Sequence, residues 1–192
     1  MDLNHEFVVN VPIADAWNIL TDLARIAPCL PGAELTEVVD DVYRGHVKVK
    51  VGPILAQFKG QASFLSRDGN AYRATLKAEG RDATGKGNAS ALITAQLTEV
   101  SPTSTKCVVT TDLTISGKVA QFGRGALADV SDKLLAQFSE NLNQLISTGV
   151  AAPVTASAPI NLLQTAGAPI LKRAVPVVIA IAVLVVLISV IF

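Results

Sequence analysis

The sequence predicts an α+β fold: a curved antiparallel sheet of about seven strands around one long C-terminal helix, then a transmembrane helix. Three observations carry this. From Ala33 to Ile115 apolar and polar residues alternate, the period of half-buried strands. From Val119 to Ile146 the period changes, and Val119, Phe122, Ala126, Val130, Leu134, Phe138, Leu142 and Leu145 recur in steps of three and four. That is one buried helix face. From Ala174 to Phe192 no charged residue occurs. At ~1.5 Å per residue this run spans about 28 Å, close to the ~30 Å thickness of a bilayer's hydrocarbon core.

Taken in order, Leu3–Val11 alternates as a first strand. Pro12 opens a short helix with Trp17 and Leu20 on its apolar side, since proline is tolerated in a first turn. Thr21–Ala27 reads as a second short helix, ended by Pro28 and the Pro31-Gly32 turn. Tyr43, Gly45, Val47, Val49 and Val51 then face one way, and Arg44, His46, Lys48 and Lys50 the other. Ile54, Ala56, Phe58, Gly60, Ala62 and Phe64 continue the inward set after Gly52-Pro53. The Asp68-Gly69-Asn70 turn leads to Tyr72, Ala74, Leu76, Ala78 and Gly80, and a DATGKG loop to Ala89, Ala91, Ile93, Ala95 and Leu97. Pro102–Ser104 turns the chain into the last strand, with Cys107, Val109, Thr111, Leu113 and Ile115 inward. The long helix follows, over about 40 Å from Val119, or only after Gly125 because glycine disfavours a helix interior.

Three segments result: a folded domain over 1–148, an uncharged Ala/Pro/Ser/Thr linker with a basic flank over 149–173, and a tail anchor over 174–192. Val177, Ile181, Leu184, Leu187 and Ile191 would lie in the membrane. Lys172-Arg173 before the anchor keep the domain cytoplasmic by the positive-inside rule, which gives a tail-anchored protein of the cell inner membrane. MDLNHEF has early acids and no apolar core, so it is not a secretory signal.

The chain carries 16 Lys and Arg against 16 Asp and Glu. With Lys172-Arg173 set aside, the balance up to Val150 is slightly acidic, which gives no nucleic-acid footprint. Cys29 and Cys107 have no disulfide or metal spacing. Gly80 to Lys86 mimics the phosphate loop G-x-x-x-x-G-K. Gly87 stands where Ser or Thr should bind magnesium, and a strand follows where a helix should begin, so a hairpin loop is expected. His5 and His46 lack partners at ligand spacing, and Asp40-Asp41 sit in a turn. No catalytic set and no metal box emerges.

The inward faces are unusually small: Gly45, Ala56, Gly60, Ala62, Ala74, Ala78, Gly80, Ala89, Ala91 and Ala95 stand where a filled core favours Val, Ile and Leu. Two readings stay open. The small residues leave a cavity under the helix, or they let the helix approach closely. For the cavity, the candidate ligand set is Trp17, Leu20, Ala56, Phe58, Gly60, Ala62, Phe64, Tyr72 and Ala91, with Phe122, Gly123, Ala126, Val130 and Leu134 from the helix. The outward faces carry a basic stripe including Lys48, Lys50, Lys59, Arg73 and Lys77. An ordinary solvated face is the first reading, and docking to an acidic protein or the anionic inner leaflet the second.

The order of strand, two short helices, six strands and long helix resembles the START-like helix-grip superfamily. Leu30-Pro31-Gly32-Ala33, the run from Tyr43-Arg44-Gly45 to Val51-Gly52-Pro53, Phe58-Lys59-Gly60, Ile115-Ser116-Gly117-Lys118 and Gln121-Phe122-Gly123 resemble the CoxG family of carbon monoxide dehydrogenase accessory proteins. That resemblance covers about residues 1–147 and implies a non-catalytic accessory protein that recruits a cytoplasmic molybdenum hydroxylase, such as carbon monoxide dehydrogenase, to the inner membrane. The expected partners are therefore that enzyme, the membrane and a lipophilic small molecule. The expected ligand is an isoprenoid quinone, because a cytosolic dehydrogenase must hand electrons to a membrane chain and quinone is nearly insoluble in water. A general lipid carrier and an enzyme on the same fold are the alternatives.

Overall fold

The computed structural model describes residues 1–51 and 54–149. Seven strands form one antiparallel sheet: β1 Asp2–Val9, β2 Ala33–Val39, β3 Val42–Val51, β4 Ile54–Asp68, β5 Arg73–Asp82, β6 Asn88–Ser101 and β7 Ser104–Ile115. Their spatial order is β1-β7-β6-β5-β4-β3-β2. Short helices α1 Ile13–Leu20 and α2 Leu23–Ile26 follow β1, and α3 Gly123–Thr148 closes the domain. The predicted tail anchor lies outside the described residues, among which no helix is long and apolar enough to cross a membrane.

The period-two segments become strands with the inward sets expected of them. β2 and β3 are joined by Asp40 and Asp41 alone, both at positive φ (50° and 59°). That handedness suits a two-residue hairpin, and aspartate tolerates it. β1 ends at Val9 rather than Val11. The second short helix is only four residues long and runs into a 3₁₀ turn, Ala27–Cys29. Pro28 sits early in that turn, where its missing N–H costs nothing, so it continues the turn instead of ending it.

The long helix corrects one expectation. Lys118–Phe122 is a 3₁₀ turn, and α3 begins at Gly123 with φ +77°. Val119 and Phe122 thus precede the helix and do not share its stripe. Within α3 the fully covered residues are Leu127, Val130, Leu142 and Leu145. At 26 residues, α3 is about 39 Å long at ~1.5 Å per residue.

Two side-chain clasps hold α3 to β1. Asn143 Nδ2 donates to the Val8 carbonyl (2.9 Å), and its Oδ1 accepts from the Asn10 N–H (3.1 Å). Toward the other end, His5 Nε2 lies 2.8 Å from Asp132 Oδ1. Asn141 Nδ2 donates to the Cys29 carbonyl, tying the short-helix segment to the same helix.

The closed core sits at one end of the sheet, where Phe7, Val9, Ala16, Ile19, Leu97, Cys107, Leu142 and Leu145 pack together. Phe7 meets Phe138 edge-on at 5.8 Å between ring centroids. The inward side chains become smaller toward the other end of the sheet, and there the packing opens.

Candidate functional site

Strand register stacks the small residues into rows. Gly45 pairs with Gly60, Gly60 with Gly80 and Gly80 with Ala89. In the next inward row Tyr43 pairs with Ala62, Ala62 with Ala78 and Ala78 with Ala91. The two rows serve different ends. A Cβ on Gly60 would lie 2.0 Å from the Glu79 carbonyl oxygen, and one on Gly45 would lie 2.3 Å from that of Glu34. Glycine is required there because the neighbouring backbone occupies the space, and the sheet coils through this row. The alanine row has no such constraint and leaves room.

That room is a cavity of about 420 Å³. Its sheet wall includes Tyr43, Val47, Phe58, Ala62, Leu76, Ala78, Ala91 and Ile93, and Leu23, Ile26, Ala27 and Leu30 close it from the α2 segment. Phe138 of α3 also reaches it. The polar residues at its margin include Glu34 and His46, which bond each other at 3.1 Å. Among the described residues no group of His, Cys, Asp and Glu is arranged to hold a metal.

Of the residues expected to bind a ligand, Phe58, Gly60, Ala62 and Ala91 lie in the cavity wall. Trp17, Leu20 and Tyr72 pack on the closed core instead. Trp17 and Tyr72 meet edge to face at 6.0 Å, and the indole lies against Gly69 of the β4–β5 turn. Ala56 is fully buried, and Phe64 is capped by the Arg67 guanidinium, 4.9 Å from its ring centre. Ala56, Phe64, Phe122, Gly123, Ala126, Val130 and Leu134 lie outside the wall because α3 meets the cavity only around Phe138. Sequence reasoning missed the α2 contribution. Its apolar residues are too few and too closely spaced to show a period.

The DATGKG loop is organised by a buried carboxylate. Asp82 Oδ1 accepts from the Thr84 hydroxyl (2.6 Å) and from the N–H groups of Thr84 and Lys86, and Oδ2 accepts from the Gln57 N–H. The Thr84 hydroxyl bond, reinforced by those backbone donors, outweighs the cost of burial and holds Asp82 well below the usual carboxylate range. The loop is thus self-satisfied. The two cysteines are both buried; burial pushes the Cys107 thiol up to about 12 and raises Cys29 as well.

On the outer face the basic stripe is partly neutralised. Lys77 pairs with Glu79 and Arg44 with Glu37, each at 2.7 Å. Lys48 and Lys50 are half-buried, whereas Lys59 and Arg73 are exposed.

A coiled antiparallel sheet closed by a long helix, with an apolar hollow between them, defines a helix-grip protein whose pocket is of the kind that encloses small hydrophobic molecules. The chain belongs to the carbon monoxide dehydrogenase CoxG family, whose model matches residues 6–147. No curated protein sequence matches it. Among solved structures it is similar to a conserved protein from Geobacillus kaustophilus (TM-score 0.69, 19% identity, covering 77% of this chain and 95% of that one). It is also similar to the Zhui aromatase/cyclase from Streptomyces sp. R1128 (TM-score 0.54, 13% identity, 79% and 99%). A third is truncated norcoclaurine synthase from Thalictrum flavum (TM-score 0.54, 16% identity, 76% and 92%). At these identities the likeness establishes the helix-grip fold alone.

Proposed function

We propose that this protein is a non-catalytic accessory protein that brings a cytoplasmic molybdenum hydroxylase of the carbon monoxide dehydrogenase type to the inner membrane. Its cavity holds a lipophilic molecule of the isoprenoid quinone class, which links the enzyme to the electron transport chain. The observation that carries the reading is an apolar cavity of about 420 Å³ in a chain of the CoxG family. That volume lies within the ~300–1,000 Å³ of small-molecule pockets, and its wall offers a quinone burial and shape. The protein supplies orientation and exclusion of water, and the redox chemistry belongs to the ligand and the partner enzyme. Membrane attachment rests on the charge-free run Ala174–Phe192 behind Lys172-Arg173.

The cyclase and synthase among the fold relatives point to an enzyme as the second reading. Catalysis needs an acid or base positioned inside the cavity, and the His46–Glu34 pair at its margin is the candidate. The deciding experiment fractionates cells that carry the hydroxylase with either the full chain or a chain ending at Thr148. The adaptor reading expects hydroxylase in the membrane fraction only with the full chain. Equal membrane recovery with both forms, or with neither, overturns it.

A further inference from the structure

A second depression lies on the opposite side of the sheet. It is a groove of about 450 Å³ crossing four strands, bordered by Lys59 and Gln61, Glu79 and Arg81, Asn88 and Ser90, and Thr114 with Ser116. The same coiling that demands glycine at position 60 hollows this outer surface, since Gly80 and Ala89 also border it. Its rim is almost entirely polar, unlike the apolar cavity on the other side.

The charge arrangement within it is unusual for a resting surface. Lys59 and Arg81 are direct cross-strand partners, and His46 is the next partner of Lys59. Like charges opposite each other across strands are destabilising. The one carboxylate in the groove, Glu79, is already engaged by Lys77 at 2.7 Å. A guanidinium fork beside an ammonium group, with three hydroxyls and two amides around them, is the donor set for a tetrahedral, multiply charged oxyanion. Apolar side chains flank it: Leu92, two residues from Ser90, is 44% exposed, and Leu55, four residues from Lys59, is 49% exposed. A phosphate group carrying acyl chains meets both features, whereas a free phosphate uses only the first.

We propose that this outer groove is a phosphate-ester site, and that the flanking leucines favour a phospholipid headgroup as its occupant. The site is separate from the cavity and does not depend on what the cavity holds. It gives the domain a lipid-reading face of its own, independent of the tail.

The test uses the full chain in a neutral detergent, with its melting temperature followed at constant ionic strength. Phosphatidylglycerol in mixed micelles, glycerol phosphate and inorganic phosphate are the three probes. At ~100-fold above the dissociation constant, an occupied site raises the melting temperature by about 5–10 °C. A rise with phosphatidylglycerol alone identifies a lipid headgroup, and a rise with the soluble phosphates also identifies the same chemistry from a soluble source. The Lys59→Gln/Arg81→Gln variant should lose the rise. Without ligand it should melt no lower than the parent, because the facing charges are gone. Lys77→Gln should keep the rise. Arg81→Gln alone serves if the double variant fails to fold, and should weaken the response. No rise with any probe, or a rise that survives the loss of Lys59 and Arg81, overturns the proposal.

Discussion

Replacing Ala62 by leucine separates a real cavity from a tightly packed sheet and helix. Ala62 lies mid-strand on β4 between its partners Tyr43 and Ala78, in the wall of the 420 Å³ cavity. Leucine adds three carbons, roughly 90 Å³ if each takes about the ~30 Å³ of a water molecule. That is about a fifth of the available space. Burying the added carbons at ~0.8 kcal/mol each favours the folded state by up to about 2 kcal/mol. For a domain near 150 residues this raises the melting temperature by about 4–8 °C at most. In a filled interior the same carbons would overpack it, at a cost of about 1–3 kcal/mol. Thermal melting of the delipidated full chain reads the sign. A fall of several degrees would refute the cavity. Gly60→Ala is the matched control: one methyl group, 2.0 Å from the Glu79 carbonyl oxygen, should destabilise by several kcal/mol although Gly60 borders the same cavity.

Asp82→Asn should destabilise the domain by about 1–3 kcal/mol at pH 7, because donors that a buried carboxylate satisfies are left poorly paired. Its folded pKa is depressed, so the contribution of Asp82 is present above the unfolded value of 3.8 and is lost as pH falls toward the lower folded value. Melting curves should therefore show the gap between parent and variant closing below pH 3.8; a constant gap would contradict the role of the ionised form. Asn143→Ala removes both clasps between α3 and β1 and should cost about 1–3 kcal/mol, read by urea unfolding. Gly123→Leu should also destabilise, by about 1–2 kcal/mol, through its φ of +77° and not through a clash, since nothing lies within 4 Å of its Cβ position. Gly123→Asn, which tolerates that conformation, should recover most of the loss. A thiol reagent should label Cys29 and Cys107 only as the domain unfolds, because each is 1% exposed.

The strands were legible because a period of two survives wherever one face is buried, and the Asp40-Asp41 hairpin was legible as a turn. The start of α3 was not. Phe122 and Val119 continue the helical spacing, but periodicity carries no information about the left-handed conformation that Gly123 adopts. The hollow beneath the sheet was legible in its alanines. Its aromatic wall was legible only in Phe58, because size alone does not tell a cavity-lining ring from a core ring. Trp17 and Tyr72 satisfy each other edge to face, a pairing across 55 residues that no local pattern announces. The two glycines with the greatest influence, Gly45 and Gly60, are small for backbone contact and not for ligand space, a distinction visible only once strands are in register.

The central claim is that the cavity carries a lipophilic molecule. The direct measurement is mass spectrometry of an organic extract of the full chain purified from membranes, run beside Ala62→Leu and beside Leu65→Gln. Leu65 is an exposed side chain on β4 that does not line the cavity. The account predicts an isoprenoid quinone near one per protein in the parent and in Leu65→Gln, and a large loss in folded Ala62→Leu. An extract without a lipophile, or equal recovery from Ala62→Leu, would contradict it.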